Sequence, residues 1–169
     1  MILAVDIGNS TVVMGLINNS ELIASRKTVT DISELEVNYK EEIKTLLKSH
    51  SISESKIEGA IISSVVPLLT DILKEAVSDI FKLEPITVNS ESITGIEIIT
   101  DNPSQLGSDR IADAAAGINQ YGAPLVIIDM GTATTVSVIN PQNQFLGGLI
   151  LPGVRTSLNS LINNTSQLP

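Results

Sequence analysis

One sequence motif occurs twice in this chain, at residues 5–12 and again at residues 128–135, an offset of 123 positions. Both copies, VDIGNSTV and IDMGTATT, read apolar, Asp, apolar, Gly and then mostly small polar residues. A period this long lies outside the range of about 20 to 50 residues found in solenoid repeats. The motif therefore predicts two copies of one domain, the first over residues 1–122 and the second over residues 123–169.

Each copy of the motif continues into an antiparallel hairpin. In the first copy, apolar residues flank a turn at residues 18–20, and in the second they flank a turn at residues 141–143. The turns contain Asn, Ser and Pro, which are typical of chain reversals. The sequence therefore predicts a strand, a loop and two further strands at the start of each domain.

The residues between and after the copies show alternating helical and strand patterns. The sequence SELE at residues 33–36 is a capping box, and it opens a helical spacing formed by Leu35, Tyr39, Ile43, Leu46 and Leu47, up to His50. The other predicted elements are a strand over residues 57–63, a helix opened by Pro67, short strands over 85–89 and 95–100, a helix over 108–119 ended by Gly122, a strand over 125–129 and a helix over 153–163. This alternation predicts an α/β fold with one complete half and an unfinished second half.

The composition excludes several classes of function. The 169 residues include 10 Lys and Arg against 19 Asp and Glu, and the net charge of −9 has the wrong sign for binding a polyphosphate backbone. The absence of Cys excludes disulfides and thiolate metal sites, and the single His50 makes a His-based catalytic site implausible. We therefore expect no nucleic-acid partner and no Cys or His nucleophilic machinery.

The sequence also predicts that the chain does not enter a membrane. It begins MILAVD, without a basic region, and no uninterrupted apolar stretch reaches the roughly 18 to 20 residues that a membrane helix needs. We expect a cytoplasmic location, with a small molecule or another protein as the partner.

The first loop carries residue types that bind phosphate and a cation. Asp6 ends an apolar strand, and Gly8 lets a ligand approach the main chain; the amides and hydroxyls that follow can surround a phosphate while the carboxylate holds a hydrated divalent ion. A Gly turn in which Asp6 caps main-chain amides gives the same pattern, so one copy leaves both interpretations open. The second copy, with Asp129 in the same place, favours two loops that bracket the phosphates of one nucleotide.

A second group of polar residues lies at residues 101–110. Ser108 or Asp109 at a helix start satisfies main-chain amides, and Arg110 can then face solvent. Alternatively, Arg110 binds a substrate carboxylate through its planar guanidinium, and Asp109 accepts a proton from a neighbouring hydroxyl. The two interpretations are compatible, and the residues alone do not decide between them.

Taken together, these motifs resemble those of type III pantothenate kinases. The resemblance rests on DIGNS at residues 6–10, SSVVP at 63–67, NP at 102–103 with GSDR at 107–110, DMGTATT at 129–135, and GG at 147–148 with PG at 152–153. It spans the whole chain, and several motifs in one order are far more specific than any one of them. It implies duplicated ribonuclease H-like domains of the actin-like ATPase superfamily, with mixed sheets flanked by helices and the second domain incomplete.

The resemblance implies ATP-dependent phosphorylation of pantothenate to 4′-phosphopantothenate, the first step of coenzyme A biosynthesis. Magnesium and a monovalent cation, potassium or ammonium, would take part, and the protein would be a cytoplasmic homodimer. Asp6 would organise magnesium, Asp129 would bind the monovalent cation, and Thr132 would contact ATP. The residues of the first phosphate loop would be Asp6, Ile7, Gly8, Asn9, Ser10, Thr11, Val12 and Val13.

The same resemblance assigns the pantothenate site. Asp109 would be the catalytic base, Arg110 would face the substrate carboxylate, and Gly107 and Ser108 would line the pocket. Two residues depart from the family pattern. Thr100 stands where a Tyr usually packs on pantothenate, so we expect it to line the pocket without an aromatic wall. Ser108 replaces an Ala, and we expect its hydroxyl to bond to Asp109.

Length is the third departure from the family pattern. Relatives are longer than these 169 residues, and their later strands and helices carry a Gly-rich adenosine-binding turn and a Thr that reaches pantothenate across the dimer. Without those elements, we expect an exposed apolar surface on the strands of residues 125–151. We also expect this chain alone to have little kinase activity.

Two other functions are compatible with the sequence. An accessory or regulatory relative of the kinases would bind pantothenate or nucleotide without forming product, and the change at Thr100 favours that role. A different small-molecule kinase or phosphatase of the superfamily would share the phosphate loops, because such loops occur across many activities. The GSDR motif at residues 107–110 favours pantothenate, since generic sugar kinases lack this Asp and Arg pair in this setting.

Overall fold

The computed structural model describes residues 1–30, 39–92 and 94–166. Packing divides the chain into two units, each built around its own sheet. The first comprises Met1–Asn89 and Gly107–Asp109, and the second comprises Ser90–Leu106 and Arg110–Pro169. The domain boundary expected from the repeat, after residue 122, stays a prediction about the organisation of the domains; packing assigns most of the helix before it to the second unit.

The first unit contains a mixed five-stranded sheet. Its strands are β1 (Ile2–Ile7), β2 (Thr11–Asn18), β3 (Glu21–Val29), β4 (Gly59–Ser64) and β5 (Ile86–Thr87). The spatial order is β3-β2-β1-β4-β5, with the first three strands antiparallel and β4 parallel to both β1 and β5. The predicted turn at residues 18–20 is confirmed: Asn19 and Ser20 have φ angles of 48° and 68°, as a tight two-residue hairpin requires.

Two helices cover one face of this sheet. They are α1 (Tyr39–Ser49) and α2 (Pro67–Phe81), and Pro67 is the first residue of α2, as predicted. Alternating residues of β1, namely Leu3, Val5 and Ile7, pack into one core with both helices and are at most 3% exposed. The helical spacing of apolar residues from Tyr39 onward is confirmed, whereas the predicted capping box at residues 33–36 and Leu35 lie outside the described residues.

The second unit contains a four-stranded sheet of order β6-β9-β8-β7. Its elements are β6 (Glu97–Ile98), α3 (Ser108–Tyr121), β7 (Leu125–Met130), β8 (Ala133–Ile139), β9 (Gln144–Pro152) and α4 (Val154–Asn164). The first two residues of α3 belong to the first unit. Gly122 ends α3 as predicted, with a φ of 76° and its amide donating to the carbonyl of Ile118 at 2.9 Å. Two 3₁₀ helices, Glu54–Lys56 and Pro103–Gln105, complete the described elements.

The strand arrangement confirms the repeat and refines its alignment. The antiparallel strands β1, β2 and β3 recur as β7, β8 and β9. Ile7 pairs with Val12 across the first loop, whereas Met130 pairs with Thr134 across the second. The second loop is therefore one residue shorter than the first. As a result, the offset between the copies is 123 positions from β1 to β7 but 122 positions from β2 to β8.

One face of the second sheet is exposed and apolar. Val126, Ile128 and Met130 on β7 are 59%, 63% and 69% exposed. They stand where the repeat places the buried Leu3, Val5 and Ile7 of β1. Leu149 and Leu151 on β9 extend the same face, because they pair with the β8 residues that lie opposite Ile128 and Met130. The expected apolar surface on these strands is thus confirmed.

Candidate phosphate and substrate sites

The first phosphate loop follows the end of β1. The amide of Gly8 donates to the carbonyl of Thr11 at 2.9 Å, which closes the turn. Thr30 fastens the loop from outside, because its hydroxyl donates to the carbonyl of Gly8 at 2.7 Å and its amide donates to the carbonyl of Ser10 at 3.0 Å. Asp6 and the loop residues Asn9 and Ser10 are exposed. The loop thus has a fixed main chain and an accessible polar surface.

The second phosphate loop follows the end of β7. The amide of Gly131 donates to the carbonyl of Ala133 at 3.0 Å, and the carboxylate of Asp129 lies against Gly131, its Oδ2 3.7 Å from the position a Cβ would take. The carbonyl of Thr132 accepts bonds from the amide of Gly153 at 3.0 Å and from the hydroxyl of Thr156 at 2.9 Å. These bonds hold the start of α4 against the loop.

The contact between the start of α4 and the second loop explains the glycine of the Pro152-Gly153 motif in steric terms. A Cβ at Gly153 would collide with the carbonyl oxygen of Gly131 and lie 2.6 Å from that of Thr132. Only glycine lets the α4 N-terminus approach the loop so closely. Helix N-termini carry a partial positive charge and main-chain amides that favour phosphate, so the packing suits a phosphate loop.

Asp109 lies at the edge of the first sheet where β1 and β4 end. Asp6 pairs with Ser63 across these parallel strands, and Ser108 bonds to the end of β4. The Ser108 hydroxyl donates to the carbonyl of Ser64 at 2.8 Å, accepts from the amide of Ser64 at 2.7 Å, and accepts from the Ser63 hydroxyl at 3.2 Å. The structure therefore brings the Asp6 loop and Asp109 to one edge of the first unit.

The contacts of Ser108 explain how the start of α3 is held. Its hydroxyl takes part in three hydrogen bonds with the end of β4. Ser108 thus anchors the main chain from which Asp109 projects. The bond expected from this hydroxyl to Asp109 stays a prediction.

Gly107 makes room for the Asp109 carboxylate. A Cβ at Gly107 would collide with Asp109 Oδ1, so the carboxylate folds back over the Gly107 main chain. Any side chain at this position would displace that carboxylate. The glycine of the GSDR motif thus has a steric role inside the first unit.

Arg110 belongs to the second unit and contacts β8 and β9. Its Nε donates to the Ser137 hydroxyl at 3.1 Å, and its Nη2 donates to the carbonyl of Val136 at 2.8 Å. The guanidinium carbon lies 5.2 Å from the centroid of the Phe145 ring. The sequence pointed to Arg110 but gave no signal for Ser137 or Phe145. These two residues reach Arg110 only because β8 and β9 pair far along the chain.

Thr100 lies near the glycine pair of β9. Its Cγ2 is 4.0 Å from the position that a Cβ of Gly147 would occupy, and Gly147 has a φ of 130°. The Thr100 hydroxyl is buried and has no hydrogen-bond partner within residues 1–30, 39–92 and 94–166. A buried hydroxyl without a partner is unfavourable for folding.

The acidic residues of the loops fit cations that arrive together with phosphate. Among the residues that the structure describes, no three His, Cys, Asp or Glu side chains are grouped as a metal site. Mg²⁺ in nucleotide sites is commonly held by one or two carboxylates and by the substrate phosphates, so the carboxylate of Asp6 fits this mode. Asp129 likewise offers a hard oxygen ligand beside Gly131, as a potassium or ammonium ion would need.

In the described part of the chain, no helix is long and apolar enough to cross a membrane.

The fold and the paired loops define a class, the proteins of the actin-like ATPase fold. A solved structure from Sinorhizobium meliloti, provisionally assigned as a 2-dehydro-3-deoxygalactonokinase, matches 99% of this chain and 58% of its own with a TM-score of 0.55 and 12% identity. The ethanolamine utilization protein EutJ from Carboxydothermus hydrogenoformans matches 99% and 57% with a TM-score of 0.53 and 17% identity. At these identities the likeness concerns the fold alone.

The family follows from more similar sequences. The model of the type III pantothenate kinase family matches residues 2–169. A type III pantothenate kinase from Pelobacter propionicus is 38% identical over 169 residues, covering 100% of this chain and 66% of the relative. The chain belongs to the type III pantothenate kinase family, and it spans about two thirds of the length of this curated relative.

Proposed function

We propose that the protein takes part in the ATP-dependent phosphorylation of pantothenate to 4′-phosphopantothenate, the first step of coenzyme A biosynthesis. The observation that carries the proposal is the family match over residues 2–169, which includes both phosphate loops and the GSDR motif. The location of Asp109 at the strand edge that also carries Asp6 supports it further.

In this proposal the two loops bind the nucleotide. Main-chain amides and hydroxyls of residues 8–11 and the side chain of Thr132 contact its phosphates, and ATP supplies the phosphoryl group. Asp6 would hold magnesium and Asp129 a monovalent cation. The cations would offset the repulsion between a chain of net charge −9 and a polyphosphate.

Asp109 acts as the general base. The primary hydroxyl oxygen of pantothenate forms a bond to the γ-phosphorus, and the bond from that phosphorus to the β–γ bridging oxygen breaks. The hydroxyl proton passes to the Asp109 carboxylate and ADP leaves. Phosphoryl transfer depends mainly on positioning and charge. The room that Gly107 leaves for the Asp109 carboxylate and the anchoring of Ser108 to β4 therefore favour this role.

Arg110 binds the carboxylate of pantothenate. A guanidinium matches the planar geometry of a carboxylate and carries its charge at any physiological pH. Thr100 lines the same substrate site and offers a hydroxyl where an aromatic side chain is usual in the family. A homodimer, as the family resemblance predicts, is part of the proposal and can be tested by sedimentation.

The proposal is tested by calorimetric titration of pantothenate and of ATP into this chain and its variants. Arg110→Ala is expected to weaken pantothenate binding at least about tenfold, because a charge-assisted hydrogen bond to a carboxylate is lost. Lys27→Ala is the matched control, since it removes one positive charge from an exposed position of β3.

The titration separates the alternatives. Binding of ATP without pantothenate would favour another small-molecule kinase. Binding of both ligands with no product, in a chain completed to the length of its relative, would favour an accessory protein. Pantothenate binding that is equal in wild type and Arg110→Ala would contradict the proposed site.

A further inference from the structure

We propose that Ser137 and Phe145 are positioning residues that fix the guanidinium of Arg110 and thereby set the affinity of the site for a substrate carboxylate. The inference rests on the proposed function, because it specifies how one substrate group is recognised. Neither residue belongs to the motifs by which the chain resembles its family.

Two hydrogen bonds fix the direction of the Arg110 side chain. Ser137 is 2% exposed, so its hydroxyl accepts from Arg110 Nε in a site that water scarcely reaches. Arg110 Nη2 donates to the carbonyl of the preceding residue, Val136, at 2.8 Å. Both acceptors lie on β8, and the main-chain acceptor moves only if the strand moves. The hydrogen-bonding fork of the guanidinium is therefore oriented by the sheet itself.

The Phe145 ring lies under the same group. The guanidinium carbon lies 5.2 Å from the ring centroid, within the distance at which a cation is attracted to an aromatic face. Phe145 is 1% exposed and packs with Ile139 and Ala114 in the core of the second unit. A buried ring has little freedom to turn. The cation therefore rests on a rigid surface.

Gly148 leaves the space that this arrangement needs. It pairs with Ser137 across β8 and β9. A Cβ at Gly148 would collide with the carbonyl oxygen of Val136 and would lie 2.7 Å from Arg110 Nη2. The glycine thus admits the guanidinium to the strand pair, which explains one half of the Gly147-Gly148 motif.

Fixing an arginine before the ligand arrives raises affinity. A free arginine loses much rotamer freedom when it binds a carboxylate, and this loss weakens binding. An arginine already held by a hydroxyl, a carbonyl and a ring has lost most of that freedom during folding. The benefit applies to the charged group of the ligand, so it should vanish for a ligand that lacks the carboxylate.

This difference gives the experiment. Pantothenate and pantothenol, in which a primary alcohol replaces the carboxylate, are titrated into wild type, Ser137→Ala and Phe145→Leu. Ser137→Ala is expected to raise the Kd for pantothenate about three- to tenfold and the Kd for pantothenol less than about twofold. Phe145→Leu keeps an apolar side chain in the core and is expected to raise the Kd for pantothenate about threefold or more.

Ile43→Val is the control for a general loss of packing. Ile43 is fully buried in the core of the first unit, and the change removes one methyl group far in sequence from every Arg110 partner. It should change both Kd values equally or not at all. Urea unfolding of each variant establishes that it is folded, and Phe145→Leu provides the test independently if Ser137→Ala does not fold.

The outcomes distinguish this inference from the proposed function. Equal weakening of both ligands in Ser137→Ala and Phe145→Leu, or no weakening of either, overturns the positioning role while the kinase proposal stands. Failure of the wild type to bind pantothenate at all overturns the proposed function, and the positioning role with it.

Discussion

Ser108 and Ser64 hold each other by two hydrogen bonds. The amide of Ser64 donates to the Ser108 hydroxyl at 2.7 Å, and that hydroxyl donates to the Ser64 carbonyl at 2.8 Å. The first residue of α3 is thereby fastened to the last residue of β4. Because Asp109 follows directly, the position of the proposed base depends on these two bonds.

Removing the Ser108 hydroxyl should destabilise the first unit. Ser108→Ala leaves the main-chain groups of Ser64 without this partner in a mostly buried site, which costs about 1–3 kcal/mol. Urea unfolding measures the loss. Ser55→Ala removes an exposed hydroxyl and should change stability by less than about 0.5 kcal/mol. Equal stability of the two variants would show that the Ser108 anchor contributes nothing.

A side chain at Gly148 should disturb the second unit. Gly148→Ala places a methyl group against the carbonyl of Val136 in the neighbouring strand, and overpacking of this kind costs about 1–3 kcal/mol. Gly59→Ala is the comparison, because its Cβ would lie 3.3 Å from the flexible end of Ile2 only. Thermal unfolding should show a lower Tm for Gly148→Ala alone. A Tm as high as that of wild type would contradict the described packing of β8 and β9.

The ion pair between Lys40 on α1 and Asp79 on α2 should lower the free energy of unfolding when the pH falls into the acid range. Lys40 donates a hydrogen bond to Asp79, which lowers the pKa of the Asp79 carboxyl, while the same bond raises the pKa of Lys40. A lowered carboxyl pKa stabilises the fold above the unfolded value near 4, and the contribution is lost as the pH falls through the folded value. A raised Lys pKa stabilises the fold below about 10.5, and this contribution is lost at higher pH.

Asp79→Asn provides the measurement. The difference in urea midpoint between wild type and Asp79→Asn should be present at pH 7 and should shrink steadily as the pH falls below the ordinary Asp pKa of about 4. The effect is small because both side chains are largely exposed. Asp71→Asn, on the same helix, is the control. A difference that persists unchanged into acid would mean that the pair does not act through charge.

The apolar face of β7 should bind hydrophobic probes. Ile128→Glu should reduce the fluorescence of bound anilinonaphthalene sulfonate, since it places a negative charge, which repels the sulfonate of the dye, in the middle of that face. Leu22→Glu changes a side chain of similar exposure, 64% against 63%, on the edge strand β3 of the first unit. It should leave most of the signal intact. The same loss in both variants would show that the dye does not recognise the β7 face.

Much of the fold could be predicted because its signals are local. The turn at residues 18–20, Pro67 at the start of α2 and Gly122 after α3 each reflect the conformational preference of the residue itself. The repeated Asp and Gly marked the ends of β1 and β7, where the structure has a short loop before the next strand. The ends of helices and strands differed from prediction by a few residues, as expected because the ends of such elements fray.

The supports of the site could not be predicted because they depend on strand register. Arg110 and Ser137 are 27 positions apart, and only the pairing of β8 with its neighbours brings them together. The shorter second loop is invisible in an ungapped alignment of the repeat. The bonds of Ser108 to β4 could not be predicted either, since its nearest charged neighbour in sequence is Asp109 whereas these partners lie 44 and 45 positions away.

The central claim is that the chain supports phosphoryl transfer to pantothenate with Asp109 as the base. The most direct measurement is formation of labelled phosphopantothenate from γ-labelled ATP, in this chain extended by the third of the Pelobacter propionicus kinase that it does not match. Asp109→Asn should slow transfer about 10²- to 10⁴-fold, whereas Asp113→Asn, one turn along α3, should leave the rate near wild type. Transfer at the wild-type rate in Asp109→Asn, or no pantothenate-dependent transfer at all, would contradict the account.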